Sequence, residues 1–450
     1  MKKILLFLGA VVAINAQAQK KFDSSAYVNF NSSRWEKIDF ADLGKTIMKE
    51  NLSTEEKITG LSKCWAEAKY NFANFDLVPK LNWDSLYTVF IPKILATKST
   101  IDYYRVLQNF YFYLRDGHTA IALPASYRKE MSGDLPLQVR WVENKALVVK
   151  NNSQQTEEKR IKVGDELIAV NGEPLQDYIK KNVSPFLHFS TPQDSTERIY
   201  RYDLFTAKAG DQWQLTFKTP EGKTAVQSFV FTETRQRPPL LQFTVLPGNI
   251  GYVQLNSFGD EKIVQQFDSI FPALSKTSSL IIDVRNNGGG NGGNGFEILG
   301  YLTDKPFYTG KAMIRQYRPV GRSWEGIEKG NIEEDSWKPY KNKLYSNPVV
   351  VLTSGATYSA AEDFTATFKN MKRGAVIGEP SGGSTGQPVF FSLPGGGVGY
   401  VCSKRDFFSD GTEFVGVGIQ PDVRAYPTIK GVTSGKDDVL QAAINYLQKR

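Results

Sequence analysis

An α/β fold is predicted for the larger, C-terminal part of this sequence, and three observations lead there. From about residue 240 onward, apolar runs of strand length alternate with glycine-rich loops and helical patterns, and two of the runs, LIIDV and PVVVLT, are apolar enough for burial on both faces. Ahead of them, residues from about 133 to 235 alternate with the strand period and break at turn signals. Ahead of those, residues from about 36 to 115 carry apolar side chains at three- and four-residue spacing, the helix period. A chain of 450 residues has room for two or three domains. The shifts in pattern place them at 19–128 (helical), 129–236 (β-rich) and 237–450 (α/β).

The first eighteen residues, MKKILLFLGAVVAINAQA, have the composition of an export leader: Lys2 and Lys3, an apolar core from Ile4 to Ile14, then Ala16-Gln17-Ala18. No stretch reaches the roughly 18 apolar residues of a spanning helix. The expectation is an exported protein, periplasmic or secreted, with no integral membrane segment after leader removal. ADLGKTIMKENL and STEEKITGLSKCWAEAKYNFANF read as helices, the second opened by a Ser53/Glu56 capping box, and IDYYRVLQNFYFYLRDGH carries the pattern to Gly117. LPLQVRWVENKALVVKN reads as paired strands. GDELIAVNG is a turn, a strand and an Asn-Gly turn, and WQLTFKT and AVQSFVF are strands around PEGK. NIGYVQLNSF, LIIDVRNN and NPVVVLTSG supply the α/β strands, and DDVLQAAINYLQKR an amphipathic last helix. SWEGIEKGNIEEDSWKPYKNKLYSN reads as a surface excursion at the border of a cleft.

Composition excludes several function classes. A formal net charge of +8, without a Lys/Arg run, gives no nucleic-acid footprint. Two cysteines far apart, Cys64 and Cys402, and two histidines, His118 and His188, cannot make a local zinc cluster, so no metal or cofactor is expected. Whether the cysteines pair is open at this level.

Candidate chemistry sits in three places. Ser359, in TYSAAEDF (357–364), fits a capping box with Glu362. It also stands at a strand-to-helix turn, where a hydroxyl lies beside the positive helix end and free N–H groups stabilise an oxyanion. Cap and nucleophile are both open, and Ala360 and Ala361 leave room for a substrate. NNGGGNGGNG directly follows the apolar strand LIIDVR, where glycines let N–H groups converge on an anion. Its G-x-G-x-x-G match at Gly288, Gly290 and Gly293 is a weak dinucleotide signal. Of the two imidazoles, His118 sits in RDGHT at a helix-to-turn boundary, while His188 sits among apolar and aromatic residues.

The succession GDELIAVNG, GYVQLNSF, LIIDVRNNGGG, TSGATYSAAEDF, VIGEPSGG and GVGIQPDV resembles the C-terminal processing (tail-specific) peptidases, in order from about residue 130 to the end. RDGHT and the helical segment before it resemble the tricorn- and retinoid-binding-protein-related branch. The resemblance implies a crotonase-like (ClpP/crotonase) α/β serine-peptidase core, a PDZ domain around GDELIAVNG and an N-terminal helical segment. It implies Ser359 as nucleophile, and Gly289 or Gly290 with Ala360 as oxyanion donors. Many members place a lysine base in G-E-x-T-x-G-K-G; GEPSGGST puts Ser384 there, so the base passes to His118. The branch carries a glutamate shortly before G-V-x-P-D. Counting back from Pro421-Asp422 reaches Val415, with Glu413 two residues earlier on the same strand face. Glu413 is therefore the expected acid and Asp116 the second choice. The implied activity is serine endopeptidase hydrolysis of polypeptides through an acyl-enzyme, falling in acid because His118 must be neutral. The PDZ module would capture chain ends by strand addition. The alternative is a catalytically inactive peptide- or ligand-binding protein on the same fold.

Overall fold

The structure is a computed structural model and describes residues 22–34, 37–39, 48–233, 238–324, 326, 329–339 and 343–449. Contacts divide the chain into two units, 1–38 and 39–450. In the first, Ser24–Ser32 is a helix whose N-cap Asp23 accepts from the Ala26 N–H at 2.9 Å. The leader expected at 1–18 lies outside the described residues, as do 41–47 of the first expected helix; residues 48–52 are not helical. Everything below belongs to the second unit.

Six strands form its central sheet: β1 (Leu241–Leu246), β2 (Ile250–Leu255), β3 (Ser279–Asp283), β4 (Val349–Thr353), β5 (Gly374–Gly378) and β6 (Val423–Arg424). They lie side by side in chain order, β1 antiparallel to β2 and the rest parallel. Parallel neighbours need crossovers, and crossover helices cover sheet faces, which is why β3 and β4 are buried at every position. Side chains alternate between two cores. Leu280, Ile282 and Val351 pack with Phe267, Ile298, Phe364 and Phe368 of three helices. Ile281, Val350 and Leu352 pack with Val439, Ala443 and Leu447 of the last helix, Asp438–Gln448. Each such side chain contributes about 1.5–3 kcal/mol when fully buried, so the strand ends that carry the site are rigidly placed.

The β-rich module has its own antiparallel sheet, Leu137–Val142, Lys145–Asn151, Glu166–Val170, Gln212–Lys218 and Thr224–Val230 in that order, over a core that includes Val148, Leu167, Leu215 and Phe229. Its first two strands meet at Glu143-Asn144, with φ 47° and 66°, the doubly positive pair of a tight hairpin turn.

The helical segment contains Thr54–Asn71, Trp83–Leu95 and Thr100–Phe112. The Ser53/Glu56 box is made in both directions, at 2.7 and 3.2 Å. Its core is closed by the far end of the chain: Tyr103, Leu107 and Tyr111 share a cluster with Phe391, Leu393, Val401 and Cys402. Directly after the third helix, Ala120–Ala122 pairs antiparallel with Val398–Cys402. The expected surface excursion, 323–347, supplies Lys329–Trp337, which forms a long hairpin with the strand before it, Phe307–Gln316; that strand also pairs with Lys404–Phe407. Among the described residues no helix is long and apolar enough to cross a membrane.

Cys64 and Cys402 are both buried and unbridged, and burial pushes both thiols well above the usual range. The native protein is therefore expected to release no colour with Ellman's reagent, whereas the protein denatured without reductant titrates two thiols. A non-reducing digest containing a Cys64–Cys402 peptide pair would overturn this.

Candidate active site

Ser359 stands between β4 and the helix Ala360–Asn370 with φ 56° and ψ −128°. A side-chain-bearing residue held there costs about 1–3 kcal/mol, so its surroundings must impose it. They do so from three sides. The Tyr358 N–H donates to Asn287 O at 3.0 Å, the Ser359 N–H to Ser384 O at 3.1 Å, and the same N–H lies 3.2 Å from Glu362 Oε2. The hydroxyl makes no cap hydrogen bond; its Oγ lies 2.9 Å from His118 Nε2.

His118 arrives from the helical segment, held by the strand pairing that begins two residues later. The Thr119 hydroxyl accepts from the Cys402 N–H at 3.0 Å. Asp116 Oδ1 accepts from the His118 backbone N–H at 2.9 Å and Oδ2 from the Asn74 amide at 3.0 Å. Burial pushes this carboxyl up to about 6. The imidazole stacks on Tyr358, ring centroids 5.0 Å apart and 3° from parallel, and the Arg198 guanidinium lies 5.0 Å from the Tyr358 ring. Burial first, then the positive charges of Arg198 and Lys404, hold His118 down to about 3. The ring is thus neutral at pH 7. Nδ1 lies 2.8 Å from Ser384 Oγ. When Nε2 accepts the Ser359 proton, Nδ1–H donates to Ser384.

Glu362 ties these pieces together. Its carboxylate is buried and accepts from the Ser381 hydroxyl (2.6 Å), the Gly383 N–H (2.7 Å), the Ser384 N–H (2.9 Å) and the Ser359 N–H (3.2 Å). Burial pushes Glu362 up to about 8, against the pull of these donors. The 381–384 loop is held from outside by the β-rich module. There the Thr191 hydroxyl donates to Gly382 O at 2.7 Å and the Gln193 amide to Ser381 O at 2.9 Å.

The glycine loop lies against the serine. Gly289 has φ +98°, and a Cβ there would stand 2.6 Å from Ser359 Cβ, so only glycine fits. The Gly289 N–H donates to the Asn287 side chain at 2.9 Å. The N–H groups of Gly290 and Ala360 have no hydrogen-bond acceptor among the described residues.

Ser359, His118, Gly289, Gly290 and Ala360 are thus assembled in one place, and the two carboxylates expected behind the imidazole are elsewhere. Glu413 is 55% exposed at its side chain and accepts from Arg405 Nη1 at 3.1 Å. The two-residue strand argument fails because 415–417 form a turn, with positive φ at Gly416 and Gly418. Asp116 holds the backbone of His118 rather than its ring. Ser384, visible in the sequence only as the residue in the lysine's place, occupies Nδ1. Glu362 was legible only as half of a cap, and nothing local marks Tyr358 or Arg198. His188 packs with neither ring nitrogen hydrogen-bonded.

Residues 249–425 match peptidase family S41, and residues 130–227 match a PDZ domain. The chloroplastic C-terminal processing peptidase of Tetradesmus obliquus is 26% identical over 243 residues, which is 50% of this chain and 49% of that protein. The chloroplastic carboxyl-terminal-processing peptidase 2 of Arabidopsis thaliana is 25% identical over 212 residues, 44% of this chain and 38% of that one. The chain thus spans about half or less of the length of these curated relatives. Among solved structures, mature CPAF shares the fold with a TM-score of 0.66 at 16% identity, covering 88% of this chain and 96% of that one. The photosystem II D1 C-terminal processing protease does so with 0.52 at 19% identity, covering 85% and 98%.

Two substitutions separate the carboxylates. Glu413→Gln is expected to change the rate of fluorophosphonate labelling by less than about twofold, since an exposed ion pair contributes about 1 kcal/mol or less. Glu362→Gln, which cannot accept from all four donors, should lower both labelling and melting temperature, at a cost of about 1–3 kcal/mol. Equal losses in the two variants would refute the distinction.

Proposed function

We propose that this chain, which carries a peptidase family S41 domain over residues 249–425 and a PDZ domain over 130–227, is an exported serine endopeptidase that cleaves polypeptides with Ser359 as nucleophile and His118 as base. The observation that carries this reading is the 2.9 Å contact of His118 Nε2 with a serine hydroxyl held at φ 56° on a helix start. The leader-like composition of residues 1–18 supports export.

Neutral His118 takes the Ser359 proton through Nε2 as Oγ attacks a peptide carbonyl. The developing oxyanion meets the N–H groups of Gly290 and Ala360 at the positive end of the helix, and Gly289 lets the loop approach that closely. The imidazolium then protonates the leaving amine. Water, deprotonated by the same ring, releases the acyl-enzyme and restores Ser359. Throughout, Nδ1–H donates to Ser384, which fixes the tautomer and ring plane; Glu362 fixes Ser384 through its backbone. A hydroxyl behind the imidazole supports its cation less than a carboxylate would. That favours, as the second reading, a peptide-binding protein on the same fold.

Fluorophosphonate labelling separates the two. The wild type is expected to label, Ser359→Ala and His118→Ala to lose the label, and Ser384→Ala to label about tenfold more slowly, the worth of one buried hydrogen bond. A wild type that binds peptides yet never labels would establish the binding protein.

The pH dependence follows from His118. A base whose pKa is depressed to about 3 is neutral at every higher pH, so kcat/KM should be nearly level from pH 7 to pH 5, with its acid limb lower still. The expected fall in acid is thereby moved well below the ordinary imidazole range. Stability moves in the same window with the opposite cause. The unfolded imidazole takes a proton near its ordinary 6.5 and the folded one does not, so stability from this site declines as pH drops below about 6.5. An acid limb at pH 6–7, with the protein still folded, would contradict a dry imidazole.

A further inference from the structure

Asn287 is the last residue before the glycine loop, and it is fully buried. The backbone ahead of it is laced to the strand and turn that carry the nucleophile. The Val284 N–H donates to Leu352 O at 3.1 Å, the Thr357 hydroxyl to Val284 O at 2.9 Å and the Ser354 hydroxyl to Arg285 O at 2.6 Å. Asn287 O ends the series by accepting from the Tyr358 N–H at 3.0 Å. Beyond Asn287 the lacing stops, although the loop still lies against Ser359.

Two contacts take over. On one side the Phe258 N–H donates to Gly289 O at 2.9 Å, and Phe258 O accepts from the Asn291 N–H at 3.0 Å. Phe258 thus bonds to the two neighbours of Gly290, so the N–H of Gly290 itself points to the opposite edge. On the other side, Asn287 Oδ1 accepts from the Gly289 N–H at 2.9 Å. That bond occupies Gly289 and leaves Gly290 and Ala360 as the N–H groups without an acceptor among the described residues. A Cβ built on Gly289 would stand 3.0 Å from Ala360 N, so the loop touches the second donor.

The Asn287 amide carries a cost. With Oδ1 turned to an N–H, Nδ2 is buried without a partner. An aspartate would accept from Gly289 more strongly and bring no orphan donor. It would also set a negative charge one residue from the Gly290 N–H, where the oxyanion of the acyl-transfer step develops. Asn286, by contrast, is exposed and accepts from Arg201 Nη2 at 2.9 Å.

We propose that Asn287 is a positioning residue for acyl transfer: its uncharged side chain holds the glycine loop so that the Gly290 N–H stays free beside that of Ala360. This rests on the peptidase reading above and adds to it the residue that assembles the oxyanion site. The orphan Nδ2 is the cost of an acceptor that bears no charge.

The test is fluorophosphonate labelling at about pH 9, where a carboxyl is ionised. Varying the probe concentration separates the limiting rate from the half-saturating concentration, and melting temperatures are taken on the same preparations. Oxyanion contacts strengthen in the transition state, so Asn287→Ala and Asn287→Asp should each lower the limiting rate by at least about tenfold, with half-saturation within about twofold. Asn287→Ser, neutral and still able to accept from the N–H two residues on, should stay within about threefold of the wild type. Asn287→Asp, which keeps the acceptor, should melt above Asn287→Ala and still label as slowly. A purely structural acceptor predicts the opposite order, with Asp at least as fast as Ser and Ala slowest. That order, or a wild-type limiting rate in Asn287→Ala, overturns the proposal and leaves the peptidase standing. If Asn287→Asp does not fold, equal rates in the Ser and Ala variants overturn it instead. A wild type that does not label overturns the peptidase reading, and this role with it.

Discussion

The buried carboxylate of Glu362 is where the site is held in register. Hydrogen bonds from Ser359, Ser381, Gly383 and Ser384 converge on it, and each of those residues controls a different part of the geometry. The Ser359 N–H fixes the strained turn that lifts the hydroxyl off the helix. The 381–384 donors fix the loop that presents Ser384 to the imidazole and returns a carbonyl to Ser359. Burial pushes this carboxyl up to about 8 against the pull of its donors, so losing a donor shifts it further toward the protonated form, which cannot accept all the remaining hydrogen bonds.

Around that point the site is built from three distant parts of the chain. The central sheet supplies the serine and the glycine loop. The helical segment supplies the histidine, placed by two-stranded pairing with residues near Cys402. The β-rich module supplies Arg198, stacked behind Tyr358, and the hydrogen bonds that hold the outside of the 381–384 loop. Movement of that module would reach the imidazole through a short series of contacts, because Ser384 and Tyr358 both touch it.

The candidate site is dry. His118 is neutral because it is enclosed and faces Arg198 and Lys404, and it is oriented by a hydroxyl. Lys404, whose ammonium donates to Asp406 at 2.9 Å, also contributes to holding the imidazole down.

The elements and their order were legible in the sequence, because strand and helix periods, the Ser53/Glu56 box and the Asn-Gly turn are local properties. LIIDV and PVVVLT announced burial on both faces, and β3 and β4 have it. Ser359 and the glycine loop could be found by motif, and His118 by the scarcity of imidazoles, since these signals need no partner to be seen. What stands behind the imidazole could not be. Glu413 was reached by counting along an assumed strand, and the turn at 415–417 breaks that count. Whether Ser359 caps its helix or points away was likewise undecidable locally, because Glu362 serves either outcome. Folding decided both questions by burying Glu362 among donors from a loop some twenty residues further on, which turned the hydroxyl of Ser359 toward His118 and set Ser384 behind the ring.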